Sequence, residues 1–297
     1  ANVVPARTGP HTRGRTLLNV GFHGVRGSTP SPGAQNLRYG GNTSCVSLEA
    51  PGQPPILFDL GTGLRVWGRT VMARGEGPFQ GVALVTHLHW DHIQGLPFFV
   101  PLLEVGSRLD VYGPPPDGFD SLRDAFDVFV RPPFFPVCCD DLPGEFHFHD
   151  VDHADVAVGD AKIRSRAVPH VGSNNGYRVD LDGLSVAYVP DHQQPDDPST
   201  VVPEVLELCE GVDLLIHDAQ FTPDEYEERS DWGHCTVGYA VEVAARAGVG
   251  TLALFHHDPA HDDDDLDRLL DEAVEQSRGR DIGEVLAASE GLTVSLG

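Results

Sequence analysis

An apolar stretch, Val82-Ala-Leu-Val-Thr86, runs without interruption into His87-Leu-His-Trp-Asp-His92, and no other junction in the chain constrains it as tightly. On an extended backbone, side chains two apart share a side, so His87 and His89 reach toward one point. Two imidazoles converging on a point suit a divalent metal ion. Asp91 and His92 then turn toward a second point. Chance would place the pattern HxHxDH in a chain of this composition roughly 0.004 times, so histidines scattered over a surface loop do not account for it.

Around this junction short apolar runs alternate with helical patterns, the signature of an α/β or α+β layered fold. Strands are predicted at Leu17–Phe22, Cys45–Glu49, Ile56–Asp59, Val82–Thr86, Leu109–Tyr112 and Phe146–Phe148, then at Lys162–Ala167, Gly176–Asp180, Leu184–Val189, Leu214–His217 and Thr251–Phe255. Helices are predicted at Leu64–Ala73, His92–Phe99, Ser121–Phe129, Pro203–Glu210, Val237–Ala247 and Asp262–Gln276. No fixed-period repeat and no long linker interrupts the chain, so residues 17–297 read as one domain behind a polar, flexible arm over 1–16. The acidic run Asp262 to Asp265 is expected to open a helix, where the dipole favours carboxylates. The Pro- and Phe-rich stretch Arg131 to Val137 reads equally as a loop over a pocket or a buried connector.

Composition narrows the function. Lys+Arg 20 against Asp+Glu 45 leaves a net charge of −25, with one lysine, Lys162, in the whole chain. Nucleic-acid affinity rests on counterion release by clustered Lys and Arg, so long nucleic acid is not an expected partner. The longest apolar runs fall far short of the roughly 20 residues that cross a bilayer, and no membrane association is expected. Five cysteines (45, 138, 139, 209, 235) form no CxxC pair, which argues against both a disulfide framework and a thiolate metal site. With no signal-peptide core at the amino terminus, the expected location is the cytoplasm.

The segment from Val82 to His92 resembles the HxHxDH signature of the metallo-β-lactamase-fold hydrolases. Further ligand positions of that family find counterparts in order: Ala167-Val-Pro-His170 after an alternating strand, Leu184 to Pro190 ending at Asp191, and Thr251-Leu-Ala-Leu-Phe-His256. The resemblance covers the chain from about residue 17 and implies a four-layer αββα sandwich. It implies that His87, His89 and His170 bind one metal and Asp91, His92 and His256 a second, with Asp191 bridging. His257 is the rival to His256, with Asp258 and His261 expected behind the imidazoles or at a helix entry. His192, next to Asp191, reads as an exposed loop residue. Seven N and O donors favour two zinc ions, with manganese or iron as alternatives.

Within that superfamily, Leu214-Leu-Ile-His-Asp-Ala-Gln220 followed by Trp232-Gly-His-Cys-Thr236 resembles the ribonuclease Z branch, with Cys235 where a serine is usual. There the corresponding histidine contacts the scissile phosphate, which makes His234 the candidate acid beside the catalytic Asp91. Two glycine-rich turns, Gly24 to Gly33 and Tyr39 to Cys45, resemble those of cyclic-nucleotide phosphodiesterases and can bring amides to an anion, or simply turn the chain. The basic protruding arm of ribonuclease Z is missing. The expected activity is therefore hydrolysis of a small phosphodiester, a cyclic one foremost, by a metal-bridging hydroxide. Ribonuclease Z-like RNA 3′ endonuclease activity stands second, then lactonase or sulfatase activity, then a metal-binding sensor without turnover. The related branch also forms dimers, so a homodimer is among the expectations.

Overall fold

In the computed structural model, which describes residues 3–5 and 17–297, two sheets face each other. The first contains β1 (Val3–Pro5), β2 (Leu18–Gly24), β3 (Cys45–Glu49), β4 (Ile56–Phe58), β5 (Gln80–Leu84), β6 (Arg108–Gly113) and β7 (Glu145–Asp150). The second contains β8 (Asp155–Val158), β9 (Ala161–Ala167), β10 (Asn175–Leu181), β11 (Leu184–Val189), β12 (Leu214–Asp218), β13 (Thr251–Phe255) and β14 (Glu284–Ala287). The last strand, β15 (Thr293–Leu296), returns to the first sheet between β1 and β2.

Burial explains the sequence patterns. In β5, Val82 and Leu84 enter the core between the sheets, whereas Ala83 and the following Val85 pack beneath the outer helices. A strand covered on both faces reads as a continuous apolar run, not an alternating one. Phe58 stacks on Tyr188 with ring centroids 4.6 Å apart, joining the two sheets at the end nearest the histidines. Helices α1 (Gly63–Arg74), α2 (Trp90–Ile93) and α3 (Leu122–Phe129) lie on the first sheet's side, with Trp67, Ile93 and Phe126 in their core. On the second sheet's side are α4 (Pro203–Cys209), α5 (Pro223–Arg229), α6 (Val237–Ala247) and α7 (Asp263–Ser277), and Val205, Val241 and Leu266 fill that core. The result is the αββα sandwich expected from the sequence.

Topology fixes where chemistry can occur. Strands β4 to β7 run parallel, as do β11 to β14. Their carboxyl ends lie along one edge of the sandwich, the usual binding edge of parallel sheets.

Several local expectations change. The helix predicted over His92–Phe99 is instead α2 followed by a separate 3₁₀ turn at Leu96–Phe98. Pro97 lacks the amide an α-helix would use there, and Gly95 is so close to the Gly61 carbonyl that a Cβ would sit 1.9 Å from its oxygen. Strands β1, β8, β14 and β15 and helix α5 were not expected. Val3–Pro5 pairs in parallel with β15, while the rest of the expected arm lies outside the described residues. Asp262 caps α7 by accepting from the Asp264 and Asp265 amides, which accounts for the acidic run as a helix entry. No helix among the described residues is long and apolar enough to cross a membrane.

One half-buried histidine away from the binding edge makes stability depend on pH. His23 packs beside Trp67 and bonds Ser47 Oγ through Nε2 at 2.8 Å. Burial pushes its pKa down to about 4, against the pull of Glu49. The native state therefore disfavours the proton that the unfolded chain takes up near 6.5. This contribution is complete above about pH 6.5 and is lost as pH falls toward 4, in all roughly 2–3 kcal/mol. Urea melts should show a shallower loss of stability on acidification for His23→Gln than for the wild type; identical slopes would assign the acid sensitivity elsewhere.

Candidate metal centre

Every candidate side chain leaves the end of a strand or the loop just beyond it. β5 leads to His87 and His89, β9 to His170, β11 to Asp191, β12 to Asp218 and β13 to His256. His87, His89, His170 and Asp191 each offer one atom within 4.8 Å of the others, and Asp91, His92 and His256 do the same. All seven sequence-derived ligand candidates are thereby brought to one place, and Asp191 touches both groups.

The distances discriminate between hydrogen bonds and a shared cation. His89 Nδ1 and His170 Nε2 are 3.3 Å apart, as are His92 Nε2 and His256 Nε2. Asp191 Oδ2 lies 3.6 Å from His170 Nε2 and 3.8 Å from His87 Nε2, and Oδ1 lies 3.1 and 3.4 Å from His92 and His256. Donors about 2.1 Å from a tetrahedral ion are separated by about 3.4 Å, whereas an N–H···O bond is near 2.9 Å. The observed set clusters about the former value.

The far nitrogens of four of the rings, all but that of His89, support the orientation. His92 Nδ1 donates to Asp59 Oδ2 at 2.7 Å, His170 Nδ1 to the Gly233 carbonyl at 2.7 Å, and His256 Nδ1 to Gln220 Oε1 at 2.8 Å. His87 Nδ1 bonds Thr86 Oγ1 at 3.0 Å. Each anchor places the proton on Nδ1 and leaves the Nε2 lone pair aimed at the cluster. His87 Nε2 and Asp191 Oδ1 are buried without a hydrogen-bond partner, a costly state that a cation would relieve. Asp59, Asp91 and Asp191 are all buried, and among the described residues none pairs with lysine or arginine. The donor set fits a divalent metal.

Position separates the two adjacent histidines. His256, at a φ of 58°, reaches the cluster, while His257 turns away and bonds the Ala288 carbonyl at 2.9 Å. Burial holds the His257 pKa down near 3. Asp258 acts indirectly: its Oδ2 accepts from Gln220 Nε2 at 3.5 Å and pairs with Arg229 at 3.3 Å, and Gln220 in turn holds His256. His261 bonds Glu225 at 2.8 Å. His192 is a correction, since it is fully buried and paired through Nδ1 with His217 Nε2 at 3.0 Å. Its ring packs beneath α6 against Tyr239, so the apparent loop residue belongs to the interior.

His234 stands at the border of the cluster. Its Nδ1 donates to Asp218 Oδ2 at 3.0 Å and lies 3.7 Å from Asp191 Oδ2. Burial opposes protonation, but Asp218, Asp191 and Asp91 outweigh it and lift the pKa to about 9. Asp218 is itself fixed by the amides of His192 and Gln220, both at 3.0 Å. The first glycine-rich turn does meet an anion, an internal one: the Ser28 amide donates to Asp91 Oδ2 at 2.7 Å. The second turn gives its Asn42 amide to Glu290, so it braces the fold.

Sequence reasoning missed Asp59. Its carboxylate accepts from the Thr86 amide at 2.8 Å, the Tyr188 hydroxyl at 2.9 Å and His92, tying both sheets to the first histidine segment. The available signal was an acidic residue closing the apolar strand Ile56-Leu-Phe-Asp59 just before Gly61. Gln220 was missed as well, although it lies in the quoted His217-Asp-Ala-Gln segment.

A β-lactamase superfamily domain matches residues 56–257. Ribonuclease Z of Natronomonas pharaonis is 29% identical, with 94% of this chain and 98% of the relative covered. Among solved structures, the metallo-β-lactamase fold protein YhfI of Bacillus subtilis superposes with a TM-score of 0.69 at 20% identity, covering 95% and 100% of the two chains. A diphosphatase of the PhnP family gives 0.67 at 18% identity, covering 94% and 98%. The N. pharaonis alignment spans 329 positions against a chain of 297 residues, so that relative contains segments with no counterpart here. This relative is named as a ribonuclease, whereas the exclusion of long nucleic acid for this chain rested on net charge. Salt screens such repulsion beyond about 8–10 Å, so charge alone does not decide the substrate.

Asp59 offers a test of the anchoring. Asp59→Asn should weaken metal affinity by about 10–100-fold, because it removes the charge that fixes the His92 tautomer. Elemental analysis after dialysis against a weak chelator should find less metal retained per chain than in the wild type; equal retention would make Asp59 a purely structural residue.

Proposed function

The chain belongs to the β-lactamase superfamily, and we propose that it is a metal-dependent phosphodiesterase acting on RNA in the manner of ribonuclease Z. Residues 17–297 act as one domain. His87, His89 and His170 would hold one divalent cation, and Asp91, His92 and His256 another, with Asp191 shared; the nitrogen and oxygen donors suit two zinc ions. When bound, such cations lower the pKa of water and neutralise charge developing on a phosphoryl group.

The observation that carries the reading is the His234–Asp218 pair beside this cluster. A proton on Nδ1 is held by Asp218, so the protonated ring presents Nε2–H to a departing alkoxide. Such a proton matters when the leaving group is a ribose hydroxyl and little when it is a phenolate. Neither lactone opening nor sulfatase action on an aryl ester requires it to the same degree. Asp91, held by the Ser28 amide, keeps its orientation between His92 and His256. A chain that only sensed metal would have no need of the His234–Asp218 pair.

A small, cyclic phosphodiester is the second reading. It is favoured by the relative's unmatched segments and by the net charge of −25, both of which reduce the surface able to grip a folded RNA. The two readings separate on substrates: the metal-loaded protein should cleave RNA carrying a 3′ trailer with kcat/KM above that for 2′,3′- and 3′,5′-cyclic mononucleotides. The reverse order would favour the small substrate, and turnover confined to lactones or aryl sulfates would overturn phosphodiester chemistry altogether.

His234→Ala should lower kcat by about 10²–10⁴ for an alkoxide leaving group, with metal content unchanged. For bis-p-nitrophenyl phosphate the loss should be smaller. Equal losses on both substrates would remove the acid role and leave His234 as a phosphate-positioning residue.

A further inference from the structure

The mouth of the metal cluster is marked by His89, the exposed member of its group. Around it, three segments each carry an exposed apolar residue next in sequence to a site residue. Trp90, 69% exposed, lies between His89 and Asp91; Val171, 55% exposed, follows His170; and Trp232, 57% exposed, precedes Gly233 and His234. These segments meet at the cluster. The Gly233 carbonyl accepts from His170 Nδ1 at 2.7 Å, and His170 Nε2 lies 3.3 Å from His89 Nδ1. Both tryptophans therefore stand one residue outside a continuous path through the mouth.

Each indole has one side-chain neighbour and remains more than half exposed. Trp90 meets Phe129 edge-on at 6.4 Å, and the Arg229 guanidinium lies over Trp232 at 5.3 Å. The chain's third tryptophan, Trp67, is buried. Two large aromatic surfaces left in water cost free energy unless a ligand covers them. In a protein with a net charge of −25 and one lysine, the usual electrostatic grip on a nucleotide is weak. Stacking works without it, because every base has a π-face that an aromatic platform can cover.

We propose that Trp90 and Trp232 are stacking platforms for the nucleobases flanking the scissile phosphodiester, so that this site recognises nucleotides by aromatic contact more than by charge. The inference rests on the phosphodiesterase reading and deepens it. The base comes either from single-stranded RNA or from a mononucleotide; both present the same aromatic face.

Two measurements test it. In the first, hydrolysis of thymidine 5′-(p-nitrophenyl phosphate) is compared with that of methyl p-nitrophenyl phosphate, which has the same scissile bond and no base. Trp90→Ala should lower the ratio of the two kcat/KM values about tenfold, the equivalent of about 1.4 kcal/mol, Trp232→Ala should also lower it, and Trp90→Phe should restore most of the loss. A single-stranded oligoribonucleotide and a 2′,3′-cyclic mononucleotide then identify the source: dependence on Trp90 with either one supports the platform and assigns the base to that class. The second measurement needs no turnover. Adenosine 5′-monophosphate should quench the tryptophan fluorescence of the metal-loaded protein, ribose 5-phosphate should not, and the quenching should vanish in the Trp90→Phe/Trp232→Phe double variant. An unchanged substrate ratio in both alanine variants overturns the proposal, as does absent quenching by the nucleotide. Conversion of a dimer to a monomer by Trp90→Ala, with the ratio unchanged, would assign the aromatic surface to a subunit contact instead. Failure of the wild type to hydrolyse either ester would overturn the phosphodiesterase reading, and quenching by the nucleotide would still decide the platform.

Discussion

The buried carboxylate of Asp191 is the constraint around which the binding edge is organised. It is almost wholly withdrawn from water, and its Oδ1 finds no hydrogen-bond donor in the protein. A bare charge in that position is untenable, since desolvation costs several kcal/mol that only an opposite charge recovers. Asp59 and Asp91 are buried nearby, and the imidazoles around them are held with Nδ1 protonated and Nε2 bare. Cations are the remaining source of compensation. The fold brings carboxylates together at the meeting of two sheets in an arrangement that is stable because something positive binds there, so metal affinity and fold stability at this edge are one quantity seen from two sides.

That coupling explains which parts of the site could be read from sequence. His87, His89, Asp91 and His92 are close in the chain, and the residue period of a strand and turn already brings them together. His170, Asp191 and His256 each follow a strand, and the family resemblance, which expects a ligand after each such apolar run, pointed to them. Asp59 also ends a strand, but its partners, Thr86, His92 and Tyr188, come from three other segments. A residue that works by holding another ligand has no spacing of its own. His192 misled for the opposite reason: a histidine after Asp191 looks like loop surface, and only the packing of α6 over it, with Tyr239 at 5.2 Å, makes it interior.

Secondary structure was legible in proportion to burial. Strands covered on both faces, such as β5, β11 and β13, appear as unbroken apolar runs, and helices with one apolar face, such as α6, show the helical period. The short and marginal elements lack such a signal. β8 carries alternating half-buried and exposed residues at the margin of its sheet, and β14 and β15 are four residues each. Helix α5 buries none of its side chains, so no apolar face announced it. Its start was nevertheless written in the sequence, because Thr222 and Glu225 form a reciprocal capping box around Pro223.

The left-handed backbone at His256 shows how the same edge tolerates strain. A non-glycine residue at a φ of 58° is unfavourable by about 1 kcal/mol or more and persists only where its surroundings over-determine it. Here the flanking backbone is pinned on both sides. The His257 amide donates to the Val25 carbonyl and the Gly27 amide to the His257 carbonyl, each at 3.0 Å. Arg26, fully buried between them, spends its guanidinium on the carbonyls of Gly40, Asp258 and His261 instead of on any carboxylate. Gly27 lies so close to the His256 ring that a Cβ there would fall 2.4 Å from Nδ1. The glycine-rich turn that resembled an anion cradle therefore serves the metal centre from behind: its amide orients Asp91, its missing side chain makes room for His256, and its arginine locks the loop that carries that ligand.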